Sequence, residues 1–287
     1  MNQPKIVADH QCHNAEVPLW HPDEQCLYWS DIPQGKMFRY YPQTQESEQI
    51  YQGEAVGAIT LQKDGSLLLF KARGAIERWQ EGEITSLIKE LPGEEQGRFN
   101  DAIADPAGRV FCGTMPTKQH LASLYRLDLD GTINKVVDGI GLSNGMGFTP
   151  NRKNIYHTDS GEGKISLWDW EPVAGTLCNP RVHIDIPPDQ GVPDGLTVDA
   201  QGYIWSARWN GEHLFRYSPE GKEVLRIEFP AKKVSCVTFG GLNYTDIYVT
   251  TAGGDNRAKE GEGAGAVFHL NLGIKGVAEF RSQINIS

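Results

Sequence analysis

Asp194-Gly-Leu-Thr-Val-Asp-Ala-Gln-Gly-Tyr-Ile-Trp-Ser-Ala207 holds one copy of a pattern that runs through all 287 residues of the chain. A polar residue opens a short apolar strand. A turn follows, then a second strand with aromatic and β-branched bias. The turns are His21-Pro-Asp-Glu24, Gln62-Lys-Asp-Gly65, Asp105-Pro-Ala-Gly108, Thr149-Pro-Asn-Arg152, Asp199-Ala-Gln-Gly202 and Gly240-Gly-Leu-Asn243. Apolar anchors precede them at Trp20, Leu61, Ala104, Phe148, Val198 and Phe239, with spacings of 41, 43, 44, 50 and 41 residues. Third strands such as Ser123-Leu-Tyr-Arg-Leu127 and His213-Leu-Phe-Arg-Tyr217 alternate apolar and polar residues, and hairpin signals such as Asp130-Gly131 lead to outer strands. A period of roughly 40 to 50 residues with several strands per period marks a propeller blade. The expected fold is all-β: a six-bladed β-propeller with four-stranded blades and a central metal site, one domain over residues 1–287. No long stretch has a 3.6-residue period, so little helix is expected. Lys5-Ile-Val-Ala8 is expected to close the ring by pairing near Gly276-Val-Ala-Glu-Phe280, which removes two sheet edges.

Composition excludes several classes of function. The net charge is −10, and no Lys/Arg cluster offers a nucleic-acid surface. The start, Met1-Asn2-Gln3-Pro4-Lys5, lacks the apolar run of a signal peptide, and no segment approaches a membrane span of about 20 apolar residues. Five widely spaced cysteines without a C-x-x-C pair read as reduced residues of a cytoplasmic protein. No obligate protein partner is evident.

Glu16, Asn100, Asn144 and Asp194 each lie four positions before an anchor. Equivalent positions in equivalent blades point at one axis, so these side chains should meet at one end of one channel. The matching positions of the other two repeats are small, Gly57 and Ser235. Bare facing carboxylates repel. A divalent cation resolves that repulsion, and amide oxygens extend its coordination. An all-oxygen set favours Ca²⁺ first, then Mg²⁺ or Mn²⁺. Zinc more often recruits His or Cys, which are missing from these positions.

The segments Ala15-Glu-Val-Pro-Leu-Trp20, Arg98-Phe-Asn-Asp101, Gly113-Thr-Met115, Ser143-Asn-Gly145, Pro193-Asp-Gly195 and Phe239-Gly-Gly241 run across the chain in a family's order. On them the chain resembles the gluconolactonase/senescence marker protein (regucalcin) family of six-bladed propellers. The resemblance implies one divalent metal ion held by Glu16, Asn144 and Asp194. Ca²⁺ is the first candidate, with Mg²⁺, Mn²⁺, Zn²⁺ or Fe²⁺ also open. It implies that Arg98 and Asn100 contact the substrate, that Asp194 is the general base, and that the reaction is hydrolysis of a small sugar lactone to the aldonic acid. Two alternatives stay open: hydrolysis of an organophosphate or other ester at the same metal site, and a non-catalytic calcium- or sugar-binding propeller. Some relatives carry an acidic substrate contact after Gly-Thr-Met, where this chain has Pro116-Thr117.

Gly141-Leu-Ser-Asn-Gly145 matches the nucleophile-elbow pattern, but that motif needs a strand–turn–helix setting and here it opens a propeller strand. His157 reads as a packed core residue. Trp209 is a candidate for the pocket mouth. The longer insertions Pro116 to Ala122 and Gly253 to Gly265 both follow second strands, where they either border a cleft or form solvated loops.

Overall fold

The computed structural model describes residues 3–286. Met1 and Asn2, which begin the segment read for a leader, lie outside the described residues, as does Ser287. Among the described residues six antiparallel sheets of four strands each form the six blades. Their innermost strands are Ala15–His21, Val56–Leu61, Phe99–Ala104, Ser143–Phe148, Val192–Val198 and Val234–Gly240. Blades are numbered 1 to 6 in that order. Two short 3₁₀ turns, Pro188–Gln190 and Arg257–Lys259, are the helical pieces among the described residues, and no helix is long and apolar enough to cross a membrane.

Burial falls from the axis outward. Ala15–His21 and Ser143–Phe148 are buried at every residue, whereas the outer strand Glu83–Ile88 is mostly exposed. Innermost strands face neighbours on both sides, so beyond their polar openings they are mostly apolar rather than strictly alternating. The gaps between blades are filled by large side chains, among them Trp205 edge-on to Phe239 and Phe70 edge-on to Phe99. Near the axis the strands approach so closely that side chains do not fit between them. A Cβ on Gly145 would collide with the backbone nitrogen of Leu196, and one on Gly195 with Cys236.

The repeated turn has a local chemistry. The Asp199 carboxylate accepts from the backbone N–H groups of Gln201 (2.9 Å) and Tyr203 (3.0 Å), an Asx-type turn. Gly202 donates to the Asp199 carbonyl at 2.9 Å with φ at +87°, a conformation that favours glycine. The other Asp199 oxygen accepts from Trp205 Nε1 (3.0 Å) and Arg216 (2.7 Å). Asp105 repeats the device with Ala107 and Arg109. The aspartate that opens the turn therefore also ties it to the second strand.

Ring closure differs from the sequence expectation in its partner. Lys5–Ala8 joins blade 6, but it pairs antiparallel with Val267–Asn271, Lys5 opposite His269 and Ile6 opposite Phe268. Gly276–Phe280 does not pair with it. That segment belongs to a tail that crosses the face carrying the turns. Gly276 donates to the Tyr244 carbonyl (2.7 Å), Ala200 to that of Lys275 (2.9 Å), Lys63 to that of Ser282 (2.9 Å) and Gln283 to that of Gly108 (2.8 Å). The physical reason is edge supply. Val267–Asn271 leaves a free edge in blade 6 that Lys5–Ala8 fills, while the exposed turns of blades 2, 3, 5 and 6 offer the tail its hydrogen-bond partners.

Asp199→Ala should leave the Arg216 guanidinium and the Trp205 indole without their shared buried acceptor. Its expected cost is about 3–5 kcal/mol of stability, read as a lowered denaturation midpoint, with the far-UV spectrum of the folded state unchanged.

Candidate functional site

The four axis-facing polar residues of the sequence pattern come together. Glu16, Asn100, Asn144 and Asp194, with Arg98, line one pocket of about 260 Å³ at the end of the propeller where the innermost strands begin. The backbone explains their aim. Every innermost strand carries a register irregularity at this level: after Glu16 in blade 1, at Asn100 in blade 3, at Asn144-Gly145 in blade 4 and at Asp194-Gly195 in blade 5, with counterparts at Gly57 and Ser235. A β-bulge inserts an extra residue and bends the strand, so the side chain there turns off the sheet face. Val17, with φ at +48°, marks the same distortion beside Glu16.

Hydrogen bonds fix these side chains. Arg98 donates to Asn100 Oδ1 (2.8 Å) and to the Phe99 carbonyl (2.9 Å). Asn100 Nδ2 donates to the Ser143 carbonyl at 2.9 Å, which links blades 3 and 4. Asn144 Nδ2 donates to Asp194 Oδ1 and to Ser160 Oγ (3.2 Å), and Ser160 Oγ donates to the Pro193 carbonyl at 2.6 Å. Glu16 accepts from the Val17 N–H at 3.2 Å. The apolar part of the wall comes from Met115, Leu142, Val192 and Trp209. Trp209 thus stands at the pocket, as does Met115 at the root of the Pro116 to Ala122 loop. The Gly253 to Gly265 loop contributes no wall residue among those described. It reaches the site indirectly, through Asp255 on His13 (2.9 Å) and through Glu260 on Lys233 (2.9 Å), whose ammonium lies 5.2 Å from the Trp209 ring centre.

The electrostatics of the centre are lopsided. Burial raises the Glu16 pKa well above the carboxylate range, and the nearby charges of Asp194 and Asp101 push it the same way. Burial also raises Asp194, with Asp101 adding to the rise, while the Asn144 hydrogen bond, Arg98 and Arg208 oppose it. Among the described residues no cluster of three or more His, Cys, Asp or Glu side chains is placed to hold a metal ion. The donor set here is of another kind, two carboxylates with neighbouring amides. It fits a hard cation, because the excess negative charge of Glu16 and Asp194 is what a divalent ion would balance.

Three residues, Arg208, Asp101 and Glu279, escape a reading of the sequence. Arg208 is fully buried, donates to Tyr217 Oη (2.7 Å), and acts on Asp194 through its charge. An arginine at the end of an otherwise apolar second strand is its signal. Asp101 and Glu279 face a cavity of about 50 Å³ in the channel beneath the site, where burial raises each pKa to about 7. Asp101 closes the Arg98-Phe-Asn-Asp101 motif, which suggests no role for it, and Glu279 lies on the segment expected to close the ring. Ser143 is fully buried, with its Oγ 2.8 Å from His157 Nε2, and burial lowers the His157 pKa to about 4. This neutral pair is packed between strands, outside the pocket wall.

The Glu279 carboxyl gives a pH test. Its folded pKa of about 7 exceeds the ordinary 4.5, so the folded state holds a proton that the unfolded chain releases. Stability from this group is intact below about pH 4.5 and declines as pH rises through about 7. Melting curves from pH 4.5 to 8 should show that decline in the wild type and a shallower one in Glu279→Gln.

Comparison with known proteins places the chain in a family. Residues 14–253 match the family described as the SMP-30/Gluconolactonase/LRE-like region. The chain is 41% identical over 287 residues to a pentonolactonase of Haloferax volcanii, covering 98% of each chain. It is 30% identical to regucalcin of Xenopus laevis, covering 92% of this chain and 93% of that one. Its fold matches the crystal structure of a calcium-binding protein, regucalcin, from Agrobacterium tumefaciens, with a TM-score of 0.90, 22% identity and coverage of 98% and 97%. The chain belongs to the SMP-30/gluconolactonase/LRE-like family.

Proposed function

We propose that this family member is a divalent-metal-dependent lactonase that opens a small sugar lactone to its aldonic acid. The observation that carries this reading is the convergence of Glu16, Asn144 and Asp194 with Arg98 and Asn100 on one small pocket. The name of the 41%-identical relative, a pentonolactonase, points to a five-carbon aldonolactone as the first substrate to try. The description of the Agrobacterium tumefaciens regucalcin as a calcium-binding protein agrees with Ca²⁺ as the first ion to try.

In this reading Glu16, Asn144 and Asp194 hold the cation. When bound, a divalent ion there supplies Lewis-acid polarisation of a carbonyl. Arg98 orients the substrate through directed, charge-assisted hydrogen bonds, and it is itself fixed by Asn100. Asp194 accepts a proton from the attacking water as the oxygen adds to the lactone carbonyl carbon. It returns that proton to the ring oxygen as the carbon–oxygen bond breaks, so the products are a hydroxyl and a carboxylic acid. The apolar wall, with Trp209 in it, packs against the C–H face of a sugar ring and shields the centre from bulk water.

A panel of aldonolactones, simple esters and phosphotriesters, assayed with and without chelator, tests this function. Chelator-sensitive opening of aldonolactones is the expected result. Turnover of phosphotriesters or simple esters alone would move the assignment to the ester hydrolases, and metal binding without turnover of any substrate would make the protein a binding propeller. Glu16→Ala and Asp194→Ala should each lower kcat/KM by at least about 10²-fold while retaining the wild-type circular dichroism. Wild-type rates in either variant would remove that residue from the mechanism.

A further inference from the structure

Asn14 lies two residues before Glu16 and lines the same pocket, yet its amide oxygen is buried without a hydrogen-bond partner. The backbone around it is fixed. Asn14 N–H donates to Asp31 Oδ1 (3.0 Å), His13 N–H donates to Asp31 Oδ2 (2.9 Å), and the Asn14 carbonyl accepts from Ile32 N–H (3.1 Å). Asp31 is itself buried. His13 is held further by Asp255. The chain thus presents this side chain from a rigid platform.

An unsatisfied buried acceptor is costly, and native structures tolerate few of them. Asn100, which lines the same pocket from blade 3, shows the contrast. Its oxygen is taken by Arg98 and its nitrogen by the Ser143 carbonyl. Each end of the Asn100 amide already has one protein partner, whereas the Asn14 oxygen has none. A terminal amide torsion is broad and roughly two-fold, so a turn about it presents either the acceptor or the NH₂ group to the pocket. A hydroxyl, which both donates and accepts, pairs with either end. An ester oxygen or a C–H group does not satisfy the acceptor.

We propose that Asn14 is a specificity-determining residue that reads a ring hydroxyl of the substrate from the blade 1 side of the pocket. This rests on the lactonase reading above. Asn14 binds the hydroxyl and takes no part in proton transfer. It explains how the pocket recognises a polyhydroxylated ring without an acidic residue at Pro116-Thr117.

The test compares kcat/KM for a pentono-1,4-lactone with kcat/KM for the matched lactone lacking its ring hydroxyls, in the metal-loaded wild type and in Asn14→Ala. The expected result is that the preference for the hydroxylated lactone falls about 10-fold or more in the variant. Asn14→Ser keeps a small hydroxyl and should recover part of that preference. It also carries the test if the alanine variant fails to fold. An equal loss on both lactones would mark Asn14 as structural and overturn the proposal, as would an unchanged preference. A wild type that opens neither lactone would overturn the lactonase reading along with it. A wild type that opens both with no preference would overturn only the role of Asn14.

Discussion

The antiparallel pairing of Lys5–Ala8 with Val267–Asn271 brings the two ends of the chain into one blade. Without it the ring would be open and two strand edges would be unpaired. Closure sets the distance of every innermost strand from the axis. That distance is short enough for Gly145 and Gly195 to lie against the neighbouring strand, where no side chain fits. Residues drawn from blades 1, 3, 4 and 5 share one pocket because of this radial packing. The carboxy-terminal tail adds a second constraint at the other end. It bonds to turns of four blades and places Phe280 edge-on to Phe148 beneath the channel.

Closing the ring also concentrates negative charge. Glu16 and Asp194 stand at the pocket, and Asp101 and Glu279 face the channel below. Burial raises the pKa of all four. Burying a charge is costly unless it is paired, and the two arginines that act on Asp194 carry other contacts of their own. Such a centre is poised to gain stability from whatever neutralises it. Protons serve in the channel, where cations are distant, and the carboxylate-and-amide set of the pocket suits a divalent ion. Meanwhile the Asp199 and Asp105 turns put their carboxylates to a structural use, each neutralised by an arginine of its own blade. The same residue type therefore has two roles, separated by whether an arginine pairs directly with the carboxylate.

Much of the fold was legible because a propeller repeats itself. An aspartate opening a turn, an apolar anchor before it and an aromatic strand after it are local features. Four of the turns share one backbone hydrogen bond, from the fourth residue to the carbonyl of the first, and two of these share the aspartate, so the period survives in the sequence. The common offset of Glu16, Asn100, Asn144 and Asp194 marked a shared level for the same reason. Trp209 was visible as the neighbour of a strand end. Arg208, Glu279 and the unpaired amide of Asn14 were hidden, since each depends on what another blade or the tail places beside it. The tail misled for a related reason: Gly276–Phe280 has strand-like composition, and composition does not say which edge is vacant.

The sequence by itself determined the six-fold β repeat, the anchors and turns that build it, and the polar residues that recur at one level, because those follow from short-range patterning and backbone hydrogen bonding. Only the tertiary structure decided which strand closes the ring, that a bulge in every innermost strand turns the site residues toward the axis, and which polar atoms there are left without partners. Ring closure depends on contacts between residues more than two hundred positions apart, as between Lys5 and His269, and the bulges and unpaired atoms depend on how neighbouring strands meet; no local pattern encodes the geometry of such a meeting.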